Sequence, residues 1–256
     1  MENFIIGALT VFSLLTVLWL WSVAIRNASI IDIAWGAGFV LLFWIWRALA
    51  EVPASDALTC IVTIWGARLS IYIAWRNSGK GEDPRYVEMR KRAGQSFWWR
   101  SLYKVFWLQG ALMVIIATPL FVVNNLETPE RPLSAEVALI CVWLIGFAFE
   151  AGGDWQLARF KKDPNNRGKV LDRGFWRYTR HPNYFGDALQ WWAFGVYAAI
   201  VSGQWWVLIS PVIMNFFLVH VSGAKLLEQS LAQTKPHYAE YIRTTARFVP
   251  GPKKRI

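Results

Sequence analysis

The stretch FIIGALTVFSLLTVLWLWSVAI, residues 4–25, contains no charged residue and is long enough to cross a lipid bilayer as one helix. Six further apolar segments of similar length follow, at residues 30–49, 57–75, 102–123, 134–153, 184–201 and 204–221. The sequence therefore predicts an all-α, polytopic integral membrane protein with about seven transmembrane helices. We expect residues 1–256 to form a single transmembrane domain, and the first span to be retained, since no cleavage signal precedes Arg26.

The composition excludes an ordinary soluble domain. Hydrophobic residues make up 55% of the chain and 17 residues are tryptophan, whereas soluble domains hold about 45–50% apolar residues with glycine included. The net charge of +10 does not indicate nucleic-acid binding, because the basic residues fall in loops between apolar segments. Cys60 and Cys141 lie far apart inside apolar segments, so we expect neither a disulfide nor a metal site.

Basic residues mark one side of the predicted membrane protein. Most of the 27 lysines and arginines lie in three segments, at residues 76–100, 159–180 and 225–255. With seven spans these segments fall on the same side, which the positive-inside rule assigns to the cytoplasm. We therefore expect the N-terminus outside and the C-terminus in the cytoplasm.

Among the charged residues inside predicted spans, Asp32 and Arg68 lie on neighbouring spans and could form a pair. Asp32 follows Ile30-Ile31 near the start of the second span, and Arg68 lies within the third. A charge at membrane depth costs a few kcal/mol or more, so it needs a partner or hydration. Asp32 and Arg68 either form a structural ion pair between two helices or take part in catalysis. Tyr86, which the predicted topology places in a cytoplasmic loop, is a second candidate acid.

A polar run lies at the edge of the sixth span. It reads Arg180-His181-Pro182-Asn183-Tyr184-Phe185-Gly186-Asp187, and it follows a basic loop that contains Arg159, Lys161, Lys162, Arg167, Lys169, Arg173 and Arg177. Arginine binds phosphate oxygens bidentately and lysine acts as a point charge, so this region predicts a site for a phosphorylated cofactor. A soluble-type dinucleotide fold is not expected, because the sequence contains no G-x-G-x-x-G or Walker motif.

Two acidic residues at the end of the fifth span form a further candidate site. Glu150 and Asp154 lie four residues apart, on one face of the predicted helix. Like charges at that spacing repel each other, so we expect a cation or a hydrogen-bond donor between them.

Five segments carry a family resemblance, namely Asp32-Ile33-Ala34-Trp35-Gly36, Trp65-Gly66-Ala67-Arg68-Leu69-Ser70, Glu82-Asp83-Pro84-Arg85-Tyr86, residues 168–184 and residues 238–250. The chain resembles the membrane steroid 5-alpha-reductase family, specifically an uncharacterised bacterial branch, which implies a multi-pass protein of the bacterial inner membrane. The run at residues 180–187 is also similar to the N-Y-x-G-[DE] region of sterol C14 and C7 reductases, where it contacts NADPH. Its R-H-P-N-Y part recurs in isoprenylcysteine carboxyl methyltransferases, which bind S-adenosylmethionine.

The resemblance implies a set of cofactor-contacting residues. Positions matched by the steroid reductases are Asp154, Lys161, Lys169, Asn183 and Asp187, and positions matched by the wider reductase set are Arg180, His181, Tyr184, Tyr241 and Arg247. Arg173 joins them as a cation of the basic loop. Steroid 5-alpha-reductases carry a Gln-Glu pair in span two and a catalytic Tyr in span three, where this chain has Ile31-Asp32 and residues 65–68. The ketone-polarising pair is not reproduced, so the expected substrate is a steroid-like, sterol-like or other enone lipid.

The leading hypothesis is an NADPH-dependent membrane oxidoreductase acting on CH–CH groups. It would transfer hydride to a polarised double bond of a lipophilic substrate, with Asp32, Arg68 and Tyr86 as catalytic residues. One alternative is a membrane methyltransferase that uses S-adenosylmethionine, and another is a non-enzymatic lipid-binding protein. Besides the lipophilic substrate and membrane lipids, we expect no obligate protein partner, no nucleic acid and no metal.

The predicted topology can be tested with reporter fusions at Lys91, Lys169 and Ile256. All three should report a cytoplasmic location, because each lies within or directly after one of the basic segments, while a control fusion at Glu51 should report the opposite side. Periplasmic reporter activity at any of the three basic sites would contradict the seven-span arrangement.

Overall fold

The computed structural model describes residues 1–126, 131–221, 228 and 238–254. The chain divides into two compact units, Met1–Glu130 and Arg131–Ile256. All regular secondary structure in these described residues is helical, which confirms the predicted all-α class. The basic tail from residue 225 lies outside the described residues, except for Glu228 and residues 238–254.

The first unit contains the helices α1 (Glu2–Ala24), α2 (Ile30–Leu49), α3 (Asp56–Asn77), α4 (Pro84–Ala93), α5 (Phe97–Ser101), α6 (Leu108–Ile116) and α7 (Thr118–Val123). A π-helical segment, Leu102–Trp107, joins α5 to α6, so the predicted fourth span is not one regular helix. A second interruption lies at Pro119, which has no N–H to donate to the carbonyl of Ile115. The Thr118 hydroxyl donates to that carbonyl instead, at 2.9 Å.

Helices α2 and α3 pack closely because each presents a glycine to the other. A Cβ at Gly36 would lie under 3.0 Å from the carbonyl oxygen of Gly66, and a Cβ at Gly66 would also lie under 3.0 Å from the carbonyl oxygen of Gly36. One turn further along α3, the Ser70 hydroxyl donates to the carbonyl of Ile33 at 2.7 Å and accepts from the N–H of Ala37 at 2.8 Å. Two of the family-like segments therefore supply the contact between these helices.

In the described part of the chain, four helices are long and apolar enough to cross a membrane: α1, α2, α3 and α8 (Leu133–Lys162). They coincide with four of the predicted spans. Helix α9 (Pro182–Ser202) and a shorter apolar segment, Trp205–His220, coincide with the last two. Apolar side chains such as Leu9 and Val17 are largely exposed on α1, as lipid-facing residues are. The chain is therefore a membrane protein, while the count of seven spans and the orientation of the termini stay predictions.

The second unit contains α8, α9, α10 (Ile209–Phe216) and α11 (Tyr238–Thr244). Helix α8 extends beyond the predicted end of the fifth span and runs to Lys162. It packs against α9 at two glycines, since a Cβ at Gly186 would lie under 3.0 Å from the Gly146 carbonyl and from the backbone nitrogen of Glu150. The close backbone approach fixes the register of the two helices that carry the polar residues described below.

Gly186→Ala should destabilise the second unit. Alanine favours a helix over glycine by about 1 kcal/mol, but the new methyl group would press on the backbone of α8, and overpacking of this kind costs about 1–3 kcal/mol. Thermal unfolding of the detergent-purified protein measures the balance. The control is Gly251→Ala, where the nearest heavy atom to the new Cβ is 4.0 Å away and no stability loss is expected. Equal stability of the two variants would contradict this account of the α8–α9 contact.

Candidate functional site

Hydrogen bonds hold the start of α4 against the start of α2. Asp83 caps α4, because its Oδ1 accepts from the backbone N–H of Arg85 at 2.9 Å. The preceding residue, Glu82, accepts from the backbone N–H of Ala28 at 2.7 Å, just before α2 begins. These contacts bring Arg85 and Tyr86 to the first turn of α2.

Asp32 lies in that first turn and binds both residues. Its side chain is 13% exposed, and its Oδ2 accepts from Nη2 of Arg85 at 2.7 Å. Its Oδ1 accepts from the hydroxyl of Tyr86, also at 2.7 Å. A carboxylate paired with a guanidinium can only accept hydrogen bonds. Two of the predicted catalytic residues, Asp32 and Tyr86, are therefore in direct contact, and Tyr86 lies on a helix between two predicted spans.

The predicted ion pair between Asp32 and Arg68 is wrong, because the partner of Asp32 is Arg85. Gly66 and Ser70 face α2. Arg68 is two residues from each of them, so its side chain points roughly 200° away around the helix axis. Its guanidinium lies 5.1 Å from the centroid of the Tyr72 ring. The direction of each side chain around the axis of α3 separates Arg68 from Asp32, and the position of an apolar segment in the sequence does not give that direction.

The protonation states of the residues outside the spans follow from their contacts. Burial raises the pKa of Tyr86, and the charge of Asp32 raises it further. Burial opposes the charge of Arg85, but its hydrogen bond to Asp83 and the charge of Asp32 raise its pKa overall. Burial also opposes the charge of Asp83, yet the hydrogen bonds from Arg85 lower its pKa. Near neutral pH this cluster holds a guanidinium, an Asp83 carboxylate and a protonated phenol.

Sequence reasoning missed two further members of this cluster, Gln109 and Trp35. The amide Nε2 of Gln109 donates to the hydroxyl oxygen of Tyr86 at 3.2 Å, and its Oε1 accepts from the indole N–H of Trp35. Gln109 is a polar residue inside the apolar segment at residues 102–123, and that position is the signal by which it could have been found.

In the second unit, Glu228 draws together residues of the run at 180–187. The buried Arg180 donates from Nε to Oε1 of Glu228 at 2.8 Å and from Nη1 to the carbonyls of Ile242 and Thr245. Nε2 of His181 lies 2.9 Å from the same glutamate oxygen. Burial would raise the pKa of Glu228, but the hydrogen bonds with His181 and Arg180 lower it to about 2. Arg180 and His181 thus have partners within the protein, and their contact with a cofactor stays a prediction.

Residues near the C-terminus complete this cluster. The hydroxyl of Tyr241 donates to the carbonyl of Trp176 at 2.6 Å, and burial raises the pKa of that phenol. Nε of Arg247 lies 3.8 Å from Oε2 of Glu228. The rings of His181 and Tyr184 stack with their centroids 5.6 Å apart. The structure therefore brings together five of the predicted cofactor residues: Arg180, His181, Tyr184, Tyr241 and Arg247.

The donors expected near Glu150 and Asp154 include two amides of α9. Nδ2 of Asn183 donates to Oδ1 of Asp154 at 3.0 Å, and Nε2 of Gln190 donates to Oε2 of Glu150 at 2.7 Å. Gln190 was not among the site residues predicted from the sequence. Asp187, which lies between Asn183 and Gln190 in the sequence, is buried. These residues form a polar stripe along the contact between α8 and α9.

The end of α8 and the exposed basic loop that follows it line an open surface pocket of about 510 Å³. Lys161, Lys162 and Arg167 line it. Ligand pockets in proteins measure about 300–1,000 Å³, so the cavity is large enough for part of a nucleotide. Lys169 and Arg173 are exposed further along the same loop.

A family assignment follows from residues 18–245, which match the family model of a protein of unknown function, DUF1295. The chain belongs to the DUF1295 family. This family is steroid 5-alpha-reductase-like, so the resemblance seen in the sequence is confirmed at that level. The bacterial branch and the similarity to isoprenylcysteine carboxyl methyltransferases stay predictions.

Three relatives of this DUF1295 protein differ in how much they share with it. An uncharacterized protein of Schizosaccharomyces pombe is 27% identical over an alignment 280 residues long, which covers 96% of this chain and 79% of that protein. The Delta(14)-sterol reductase of the same organism is 34% identical over 133 residues, or 47% of this chain and 29% of the reductase. The Delta(14)-sterol reductase of Methylotuvimicrobium alcaliphilum is 33% identical over 82 residues, or 25% of this chain and 19% of the reductase. The matched region therefore spans less than a third of either sterol reductase. No solved structure matches the chain significantly.

Arg180→Ala should lower the free energy of unfolding by about 3 kcal/mol or more, because it removes the guanidinium paired with Glu228 and leaves the carbonyls of Ile242 and Thr245 without that donor. The matched control is Arg177→Ala, an exposed arginine three residues earlier, which should change stability by about 0.5 kcal/mol or less. Chemical unfolding in detergent measures both. Unchanged stability of Arg180→Ala, together with lost cofactor affinity, would instead make Arg180 a cofactor ligand.

Proposed function

We propose that this protein reduces a carbon–carbon double bond of a lipophilic substrate within the membrane, using NADPH. The observation that carries the proposal is the contact between Asp32 and Tyr86, a carboxylate and a phenol held together at the start of a membrane-spanning helix. Similarity to two proteins named Delta(14)-sterol reductases supports reduction as the reaction and a sterol-like or other enone lipid as the substrate.

In this proposal Tyr86 supplies the proton of the reduction. Asp32 is paired with Arg85 and accepts from Tyr86, so it orients the phenol and cannot itself donate to a substrate oxygen in this state. The hydroxyl proton of Tyr86 would pass to one carbon of the double bond, while a hydride adds to the other. Tyr86 would then regain a proton from water, and Arg85, which is 53% exposed, would connect the cluster to solvent. We assign no step to Arg68.

The second unit contains cations and hydrogen-bonding groups of the kind that bind a nucleotide cofactor. The cations Lys161, Lys162 and Arg167 line a cavity of suitable size, and they would hold phosphate groups. Lys169 and Arg173 would add to the positive charge, and Asp154, Asn183 and Asp187 would supply hydrogen bonds. NADPH would supply the hydride when bound. The cluster of Arg180, His181, Tyr184, Tyr241 and Arg247 would act mainly by holding the C-terminal segment against this loop.

We further propose that the chain has seven spans, with its N-terminus outside and its C-terminus in the cytoplasm of a bacterial cell. The three basic segments support this orientation, because such segments accumulate on the cytoplasmic side of the inner membrane. The cofactor would then bind from the cytoplasm, where NADPH is available.

Tyr86→Phe should reduce turnover by roughly 100-fold or more, the scale of losing a general acid, without changing NADPH affinity. Asp32→Asn should also lower turnover, because the amide can still accept from Tyr86 but no longer carries the charge paired with Arg85. The assay is NADPH oxidation by the detergent-purified protein with a Delta(14)-unsaturated sterol, an enone steroid and extracted membrane lipids. The control is Tyr103→Phe, a tyrosine that is 42% exposed in the same unit.

Three outcomes would change the proposal. Unchanged turnover of Tyr86→Phe would remove Tyr86 from the catalytic residues. Binding of S-adenosylmethionine without binding of NADPH would favour a membrane methyltransferase. Binding of lipid with neither cofactor would favour a lipid-binding protein.

A further inference from the structure

The amide of Gln109 lies between the Tyr86 hydroxyl and the Trp35 indole. Trp35 lies on α2, one turn after Asp32, and Gln109 lies on α6. Tyr86 is on α4, so the hydrogen bonds connect three helices of the first unit. The side chains of Trp35 and Gln109 are both partly buried.

The chemistry of these groups fixes the direction of every hydrogen bond in the series. An indole N–H can only donate, so the atom of Gln109 that faces Trp35 must be Oε1. The other end of the amide, Nε2, then presents an N–H to the Tyr86 oxygen at 3.2 Å. With that lone pair engaged, the Tyr86 hydroxyl donates to Asp32 at 2.7 Å. The series runs from Trp35 through Gln109 and Tyr86 to Asp32 without a reversal.

We propose that Trp35 and Gln109 are positioning residues for Tyr86, and that they hold an amide N–H against the phenol oxygen to stabilise the phenolate formed when Tyr86 gives up its proton. The proposal rests on the function proposed above, in which Tyr86 is the acid. When the O–H bond of Tyr86 breaks and a C–H bond of the substrate forms, a negative charge is left beside the Asp32 carboxylate. Without a donor such as Gln109, repulsion between the two charges would oppose the transfer.

The groups around Tyr86 act on its hydroxyl proton in opposite directions. Asp32 attracts the hydroxyl proton and so resists its loss, whereas the Gln109 N–H and the Arg85 guanidinium, 5.5 Å from the Tyr86 ring centroid, favour the phenolate. If the amide were reversed, its Oε1 would face the phenol and would raise the energy of the phenolate. Trp35 prevents that reversal, because it offers no acceptor to Nε2.

The test compares Trp35→Phe, Gln109→Leu and Gln109→Glu in the full-length protein. Trp35→Phe removes the indole donor, Gln109→Leu removes the amide, and Gln109→Glu keeps the size and the acceptor for Trp35 while replacing the N–H. The matched control is Trp44→Phe, since Trp44 lies on the same helix and its indole donates to Thr63 at 3.1 Å, outside this cluster. Thermal unfolding of each variant identifies any that fail to fold.

Isotope-edited infrared spectroscopy of the Tyr86 C–O stretch is the first readout, because this band distinguishes a phenol that accepts a hydrogen bond from one that does not. It requires neither substrate nor cofactor, and Tyr86→Phe identifies the band. All three variants should shift the band and Trp44→Phe should not. An unshifted band in folded Gln109→Leu and Gln109→Glu would overturn the proposal.

Turnover is the second readout. The three variants should lose roughly tenfold or more in kcat at unchanged KM. This is the loss expected when a hydrogen bond is made to a group that becomes charged only during the reaction. A shifted band with full kcat would overturn the stabilising role of Gln109. A shifted band in a protein whose wild type oxidises no NADPH with any lipid would leave the hydrogen-bond direction established and overturn the proposed function itself.

Discussion

A charge near the hydrocarbon region must be paired, and this requirement organises the first unit. Asp32 lies in the first turn of a membrane-spanning helix, and its carboxylate binds Arg85 and Tyr86. Those residues reach Asp32 because Asp83 starts α4 and Glu82 binds the backbone at the start of α2. The cost of an unpaired carboxylate thus accounts for the docking of α4 and for the burial of the phenol that we propose as the acid.

The same requirement is met differently in the second unit. There the buried cation is Arg180, and its partner Glu228 is distant in the sequence. The pair also engages His181 and two carbonyls at the end of α11, so the charge fixes the C-terminal segment. The exposed cations at the end of α8 and in the loop after it line the pocket in which we propose that cofactor phosphates bind. Residues of one basic region therefore divide into structural and ligand-accessible groups according to burial.

Glycine allows the close helix contacts on which both clusters depend. Gly36 and Gly66 bring α2 and α3 together, and Gly146 and Gly186 do the same for α8 and α9. In a membrane, apolar side chains gain little by leaving lipid for protein, so close backbone contact and interhelical hydrogen bonds take over. The Ser70 contacts with α2 and the Gln190–Glu150 pair are of this kind.

The sequence by itself determined the helical membrane class and the positions of several candidate spans, because hydrophobic length is a local property. It also indicated Asp32, Tyr86 and Arg180 as candidate site residues, and their roles in catalysis and cofactor binding stay predictions. It did not determine which charges pair. Arg68 was expected beside Asp32, yet the phase of α3 turns its side chain to the other side of the helix. Arg85 is the partner instead, because the chain after α3 returns to the start of α2. The partners of Gln109 and Glu228 became evident only in the tertiary structure, since they lie on other helices or far along the chain. Side-chain direction around each helix axis, which composition does not encode, decided the candidate site.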